Sequence, residues 1–168
     1  MTERLNEEVD HVRGPLDGRV ILEYGDYECP YSRQAFREIE RLEGELGDIR
    51  FAFRHFPLTD IHPHALAASE AAEAAARQDR FWEMHELLFH RQKELEADAL
   101  RRYATELELD VDRFDEDRAD GDVRNRIQRD VDSGLASGEV WGTPTLFIDG
   151  ALHRGGYDLA TLKAALAA

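Results

Sequence analysis

Hydrophobic and polar positions along the first third of the chain follow the periods of a strand, a helix and a second strand. Residues 19–24 form a short apolar run between glycines, which predicts a buried strand. Apolar side chains then recur at steps of four and three from Ala35 to Leu46, which predicts a helix that begins near Pro30. Residues 49–56 alternate between apolar and polar types, as in a strand with two different faces. This order is that of a βαβ unit in a parallel sheet.

The middle of the chain has a helical pattern throughout. From His62 to about Arg118 there is no strand-like alternation, and interruptions in the pattern predict three or four short helices. Between Val123 and Leu135 an apolar residue recurs at every fourth position, which predicts one further helix ended by Gly138. We therefore expect an all-helical block that leads back to the sheet.

The last part of the chain returns to strand patterns. Residues 145–148 and 151–154 flank Asp149-Gly150, a dipeptide that is typical of tight hairpin turns. Leucines at helical spacing follow from Leu159 and predict a final helix. The complete order is therefore βαβ, a helical block, then ββα.

This order of elements predicts an α/β fold with one inserted segment. We expect residues 1–59 and 139–168 to form one domain around a central mixed β-sheet flanked by helices. Residues 60–138 are expected to form an inserted α-helical domain with a connecting helix. A chain of 168 residues is long enough to bury a core of this kind.

The amino-acid composition disfavours nucleic acids as partners and disfavours insertion into membranes. Acidic residues outnumber basic residues by 36 to 21, a formal net charge of −15, which disfavours binding to the phosphate backbones of nucleic acids. The longest apolar run has five residues, whereas a membrane-spanning helix needs roughly 18. The first ten residues also lack the basic-then-apolar order of a signal peptide. We therefore expect a cytoplasmic protein that does not insert into membranes.

The one cysteine of the chain, Cys29, is the main candidate for chemistry. A single cysteine excludes an intramolecular disulfide and a structural zinc site built on several thiolates. Cys29 stands directly before Pro30, where the N–H groups and dipole of the predicted helix favour a thiolate. Ser32, three positions on, is placed to donate a hydrogen bond to the same sulfur. A buried, inert cysteine is the alternative, but the polar, turn-like approach to Cys29 favours a reactive thiol.

The segment around this cysteine resembles a known active site. Residues 23–32 read EYGDYECPYS and resemble the active-site segment of the DsbA-like branch of the thioredoxin superfamily. The segments RHFPL at 54–58, FWEMH at 81–85 and GTPT at 142–145 resemble further parts of that family, in the same order. The resemblance implies a thioredoxin-like fold with an inserted helical domain, in agreement with the fold predicted from periodicity. The usual motif of the family is Cys-Pro-x-Cys, and Ser32 replaces its second cysteine here.

The resemblance also implies which residues form the site. It implies that Cys29 is the nucleophile, that Ser32 belongs to the catalytic group, and that a cis Pro144 lies against the cysteine. It further implies substrate binding by Pro30, Tyr31 and Thr143, the last through its backbone in strand-like pairing.

Two residues are candidates for supporting roles. Glu23 matches a buried carboxyl that helps to move a proton to or from the second thiol in related enzymes. Because that thiol is absent, an ion pair between Glu23 and Arg54 on the neighbouring strand is an equal alternative. We expect no tightly bound cofactor, and no metal site is expected because the seven histidines are scattered along the sequence.

These observations lead to one main hypothesis and two alternatives. We expect thiol-disulfide exchange in which Cys29 forms a mixed disulfide that an external thiol resolves. The expected partners are disulfide-bearing or glutathionylated proteins, with glutathione or another low-molecular-weight thiol as co-substrate. One alternative is a glutathione transferase or isomerase of the kappa-like class, in which Ser32 activates the glutathione sulfur. The other is a redox-inactive binding or sensor module on a thioredoxin fold.

Overall fold

The computed structural model describes residues 3–168, in which five strands form one mixed sheet with helices on both faces. The strands are β1 (His11–Arg13), β2 (Arg19–Gly25), β3 (Ile49–His55), β4 (Thr145–Ile148) and β5 (Ala151–Leu152). The helices are α1 (Pro30–Leu46), α2 (Ala65–Ala76), α3 (Phe81–His90), α4 (Ala97–Glu106), α5 (Val111–Arg118), α6 (Gly121–Ser137) and α7 (Leu159–Ala167). The order across the sheet is β1-β3-β2-β4-β5, in which β2 and β3 are parallel and the other three neighbouring pairs are antiparallel.

The βαβ unit predicted from periodicity is confirmed as β2, α1 and β3. Pro30 stands at the first position of α1, where its fixed backbone angle suits a helix and its missing N–H leaves no donor unpaired. Gly47 ends the helix with a φ of 71°, a left-handed conformation that glycine adopts without a Cβ clash. The chain can therefore turn sharply into β3.

The first strand is absent from the sequence prediction. The prediction treats the residues before 19 as a polar start, but His11–Arg13 pairs antiparallel with β3, with His11 opposite Phe53. Three residues that include one apolar side chain carry no readable period, and their pairing with a distant strand makes them a strand. At the other edge, β5 contains only Ala151 and Leu152, so it is shorter than the predicted segment 151–154.

The sheet is buried on both faces. One face carries Ile21 and Phe53 into the larger core, which α1, α7 and the helical segment complete. The other face carries Leu22 and Phe147 into a smaller core, against which Val131 of α6 packs. All seven residues of β3 are buried, including the polar ones. The alternation of apolar and polar residues along β3 therefore separates two buried faces of the sheet, and neither face is exposed to solvent.

The predicted helical block is present between β3 and β4. It contains four short helices, α2 to α5, followed by the longer α6, which ends at the left-handed Gly138. The alanine-rich α2 lies at its centre and contacts α3, α4, α5 and α6. Within residues 3–168, no helix combines the length and the apolar character needed to cross a membrane. The boundaries of the inserted domain at residues 60 and 138 remain a prediction.

Candidate active site

Cys29 occupies the N-terminal end of α1. It is the N-cap residue of that helix, with extended backbone angles, and its N–H donates to the carbonyl oxygen of Asp26 at 3.1 Å. The residue is only 3% exposed, whereas Pro30 and Tyr31 directly after it are exposed. The thiol therefore lies immediately beneath the surface, at the positive end of the α1 dipole.

The loop before β4 lies against this thiol. The Thr143–Pro144 peptide bond is cis, and the Cys29 thiol donates a hydrogen bond to the carbonyl oxygen of Thr143 at 3.4 Å. The pairing of strands in the sheet brings this loop to the cysteine. Strand β4 pairs antiparallel with β2, and Thr145 lies opposite Tyr24 near the end of β2. The chain runs from that end of β2 to Cys29. Thr143, Pro144 and Cys29 are therefore brought together by strand pairing across more than a hundred residues of sequence.

Ser32 is fully buried, and it does not make the hydrogen bond expected from the sequence. Its hydroxyl oxygen accepts a hydrogen bond from the backbone N–H of Asp26 at 3.2 Å. Among residues 3–168, no hydrogen bond joins the Ser32 hydroxyl to the Cys29 sulfur; the sulfur instead bonds to Thr143. The expectation is wrong because the serine side chain points back to the turn that precedes the cysteine.

That turn is held by Asp26, a residue whose structural role the sequence reasoning missed. Its buried carboxylate accepts hydrogen bonds from the backbone N–H groups of Glu28 at 2.7 Å and Leu58 at 2.8 Å. A third contact, at 2.8 Å, joins it to Nδ1 of His62. These contacts form the Asp26 clamp, which ties the turn before Cys29 to the loop after β3. An aspartate three residues before the cysteine was the available signal, but two of its three partners, Leu58 and His62, lie more than thirty positions away.

Gln92, in the loop after α3, makes a second connection to the cysteine segment. Its side-chain amide donates to the carbonyl oxygens of Tyr27 at 2.8 Å and Cys29 at 2.9 Å. The sequence contains no motif that marks this glutamine. The helical segment therefore contacts the backbone of the nucleophile itself.

Glu23 is a buried carboxyl in β2 that forms no ion pair with any residue from 3 to 168. It is 1% exposed, and its Oε1 atom has no hydrogen-bond partner among the described residues. Burial raises the pKa of Glu23 to about 8, although the positive charge of Arg13 acts in the opposite direction. At neutral pH the carboxyl is therefore mostly protonated and able to give up a proton.

The alternative pairing of Glu23 with Arg54 is wrong. In the parallel register Glu23 lies beside Phe53 while Arg54 lies beside Tyr24, so the two side chains leave opposite faces of the sheet. Arg54 instead forms ion pairs with Glu3 and Asp10, at 2.9 Å each, and donates to the Tyr24 hydroxyl at 2.7 Å; it belongs to the N-terminal segment and not to the cysteine site.

Two exposed aromatic side chains stand close in sequence to the residues of the site. Tyr31 is 62% exposed and follows the cysteine by two positions, and Trp141 is 84% exposed and precedes Thr143 by two. Burial raises the pKa of Tyr157, and the negative charges of Cys29 and Tyr31 act in the same direction. The surface around the cysteine is thus suited to contact with a partner's apolar side chains.

Comparison with known proteins supports the fold and the family. A family model described as Thioredoxin matches residues 6–168. The solved structure of a thioredoxin-like oxidoreductase from Silicibacter pomeroyi is 25% identical, with a TM-score of 0.84 over 96% of this chain and 92% of that one. The thiol-disulfide exchange protein alpha-DsbA2 from Wolbachia pipientis is 20% identical, with a TM-score of 0.82 over 96% of this chain and 87% of that one.

Curated relatives carry a different name. A protein of Salinispora tropica named Na(+)/H(+) antiporter NhaA 3 is 49% identical over 158 residues, which are 94% of this chain and 24% of that protein. A protein of Herminiimonas arsenicoxydans named Na(+)/H(+) antiporter NhaA is 43% identical over 98% of this chain and 26% of its own length. The chain thus spans about a quarter of these relatives. Because the family model covers almost the whole chain and the fold agrees with it, the chain belongs to the thioredoxin family and has the fold of the DsbA-like thiol-disulfide oxidoreductases.

Proposed function

We propose that this chain catalyses thiol-disulfide exchange through one cysteine, Cys29, and that an external thiol completes each cycle. The observation that carries the proposal is the position of the Cys29 sulfur, at the N-terminus of α1 and 3.4 Å from the carbonyl oxygen of Thr143, in a chain with no second cysteine. The family and the fold support the reaction class. The single-cysteine mechanism rests on the replacement at Ser32.

The proposed cycle has two exchange steps. The Cys29 thiolate attacks one sulfur of a disulfide, forms a mixed disulfide with it, and releases the other sulfur as a thiolate that takes up a proton. A second thiolate from solution then attacks the mixed disulfide at the substrate sulfur. Cys29 leaves as a thiolate, and the substrate departs as a new disulfide with the external thiol. No net oxidant or reductant is consumed, because each step exchanges one S–S bond for another.

Ser32 makes the external thiol necessary. A hydroxyl does not displace a disulfide near neutral pH, so the internal second attack of a dithiol enzyme is missing. The burial of Ser32 and its hydrogen bond from Asp26 also keep it away from any thiol that arrives from solution. These contacts disfavour the kappa-like transferase alternative, in which Ser32 has to reach the sulfur of glutathione.

Substrate position and proton transfer follow from the neighbouring residues. A partner in extended conformation that pairs with the backbone of Thr143 brings its disulfide next to the Cys29 sulfur. Pro30 and Tyr31 are exposed directly after Cys29, and we propose that they contact the substrate. Glu23, with its raised pKa, is the candidate to hold a proton on the buried side of the site.

Glutathione or a similar small thiol is the proposed co-substrate, and proteins that carry disulfides or bound glutathione are the proposed partners. A cytoplasmic location suits this chemistry, since small thiols keep that compartment reducing. The name antiporter belongs to relatives of which this chain covers about a quarter, and ion transport is not carried over to it.

The test compares the wild-type protein with Cys29→Ser and Ser32→Ala in the reduction of a glutathionylated peptide by excess glutathione. We expect Cys29→Ser to lose catalysed turnover completely and Ser32→Ala to retain it, because the serine supplies no chemistry. Full activity of Cys29→Ser contradicts the proposal. Transfer of glutathione to an electrophile that survives Cys29→Ser but falls with Ser32→Ala supports the transferase alternative, and a lack of turnover in the wild type supports the sensor module.

A further inference from the structure

Three side chains with metal-binding atoms converge on the face of the sheet that carries Phe53, beyond the end of β3 that pairs with Gly25. His11 comes from β1, His55 is the last residue of β3, and Glu73 comes from α2. Their ligand atoms, one from each, all lie within 4.8 Å of one another. The Nε2 atoms of both histidines are 2.7 Å from the same carboxylate oxygen, Oε1 of Glu73.

The convergence is produced by strand register. His11 pairs with Phe53 in the antiparallel β1–β3 ladder, and His55 follows Phe53 by two positions, so both histidines emerge on the same face of the sheet. The helix α2 crosses this face and supplies Glu73. The expectation of no metal site considered the histidines only as they are spaced in sequence, and 44 positions separate these two.

Neighbouring residues hold the side chains of His11, His55 and Glu73 in fixed orientations. Glu73 is almost fully buried, and its Oε1 atom stands between the Nε2 atoms of His11 and His55. Arg126 of α6 lies 3.3 Å from the second carboxylate oxygen, Oε2, and 2.8 Å from Asp130, so Oε1 remains directed at the histidines. The imidazole of His11 stacks on Phe81 at a centroid distance of 3.6 Å, which fixes the plane of that ring.

We propose that His11, His55 and Glu73 form a binding site for zinc, with two imidazole nitrogens and one carboxylate oxygen as protein ligands and water in a fourth position. Two histidines and one glutamate are a known ligand set for this ion, and ligands at about 2.0 to 2.1 Å in tetrahedral geometry stand about 3.3 Å apart. Each histidine nitrogen therefore moves away from Oε1 of Glu73 by about half an ångström as the ion replaces the two hydrogen bonds.

The free nitrogen of His55 and the partial exposure of His11 are both compatible with zinc binding. Nδ1 of His55 is buried and has no hydrogen-bond partner among the described residues. The move of a ring proton from Nε2 to Nδ1 on metal binding therefore breaks no bond at Nδ1. His11 has a side chain that is 19% exposed, while that of Glu73 is 5% exposed, so solvent reaches the site from the β1 edge.

Because its ligands come from β1, β3 and α2, a bound zinc ion joins the sheet to the helical segment. Binding to the folded state alone stabilises it by mass action. The proposal does not depend on the proposed redox function, since Cys29 is not one of the ligands.

The test measures zinc affinity by competition with a chromophoric chelator, using wild type, His11→Phe, Glu73→Gln and the control His90→Phe. Phenylalanine keeps the stacking on Phe81 but removes the ligand nitrogen, and His90 is an exposed histidine outside the site. We expect one zinc per chain, a loss of affinity of at least about tenfold in the two site variants, and no change in the control. Circular dichroism of each variant without metal establishes that it is folded.

A second readout defines the ligands directly. X-ray absorption of the zinc-loaded wild-type protein is expected to show nitrogen and oxygen neighbours at about 2.0 to 2.1 Å and no sulfur neighbour. Affinity that is equal in His11→Phe and in the wild type, a sulfur neighbour, or the absence of stoichiometric binding overturns the proposal. The three side chains are then a hydrogen-bonded group without a metal role.

Discussion

At the scale of single residues, the chemistry depends on what stands three positions after the cysteine. Ser32 occupies a fully buried position one helical turn from Cys29, and its oxygen is engaged by the backbone of Asp26. The two residues are separated as the two cysteines of a Cys-Pro-x-Cys motif are. The difference between a one-thiol and a two-thiol cycle is therefore confined to one side-chain atom.

Ser32→Cys is expected to restore the internal second step. The mixed disulfide on Cys29 then breaks without any external thiol, at least about tenfold faster than in the wild type, because the new thiol attacks within the same molecule. The control is Gly44→Cys, which adds a thiol about 20 Å away at the far end of α1, at an exposed position where an added Cβ meets no side chain and no other element of residues 3–168 within 4 Å. Intact-mass kinetics measure the release, and equal rates in both variants contradict the expectation.

Glu23 is expected to make stability fall as pH rises. Its pKa of about 8 lies above the ordinary value of 4.5, so the folded state holds a proton that the unfolded chain loses between these values. The stabilisation from this protonation is fully present below about pH 4.5 and is lost as pH approaches 8. Glu23→Gln removes the dependence and gains stability on the order of a few kcal/mol at pH 8 relative to its parent.

Urea unfolding of Cys29→Ser and of Cys29→Ser with Glu23→Gln, from pH 5 to 8, measures this difference without a contribution from the thiol. The difference in unfolding free energy between the two proteins is expected to grow steadily over that range. A difference that is constant with pH shows that Glu23 is already ionised in the folded protein.

At the scale of elements, the Asp26 clamp connects the end of β2 to the loop after β3. Two backbone N–H groups and one histidine depend on the Asp26 carboxylate. Asp26→Ala leaves them without this acceptor, and we expect the unfolding free energy to fall by about 2 to 4 kcal/mol. Asp60→Ala, at an exposed position in the same loop, is the control and is expected to change it by about 0.5 kcal/mol or less. Chemical denaturation measures both, and equal effects contradict the clamp.

Much of the fold was predictable because its elements have strong periods. The apolar stripe of α1, the glycines at its end and at the end of α6, and the Asp149-Gly150 turn each act locally, and the structure has these features where the sequence indicates them. β1 was not predictable, since three residues carry no period and only pairing with β3 makes them a strand.

The site was predictable in part, for the same physical reason. Cys29 and Thr143-Pro144 are recognisable as short segments, but the positions of partners depend on register. The side chains of Glu23 and Arg54 leave opposite faces of the sheet, and Gln92 reaches the cysteine carbonyl from a loop without any motif. Contacts between distant elements are set by packing of the whole sheet, which a single sequence does not display.

At the scale of the whole molecule, the strongly negative charge acts on every small thiol that approaches Cys29. The formal net charge is −15, and the field of exposed carboxylates repels anions over roughly a Debye length. We expect resolution of the mixed disulfide by glutathione, an anion, to accelerate a few-fold when the ionic strength rises from about 10 to 150 mM.

Cysteamine, a cationic thiol, is the control and is expected to slow down or stay unchanged over the same range. Stopped-flow or quenched-flow measurement of the second-order rate constants gives the comparison. Acceleration of both thiols to the same extent shows that salt acts on the protein and not through its charge.

The most direct measurement of the central claim follows the Cys29 mixed disulfide by intact mass spectrometry at several glutathione concentrations. The protein is first loaded with one equivalent of a small disulfide and separated from free thiol. The single-cysteine mechanism predicts one adduct per chain, none in Cys29→Ser, and a release rate proportional to glutathione concentration that extrapolates to zero without it. A release rate that is independent of external thiol, or a wild-type protein that accepts no adduct, contradicts the account.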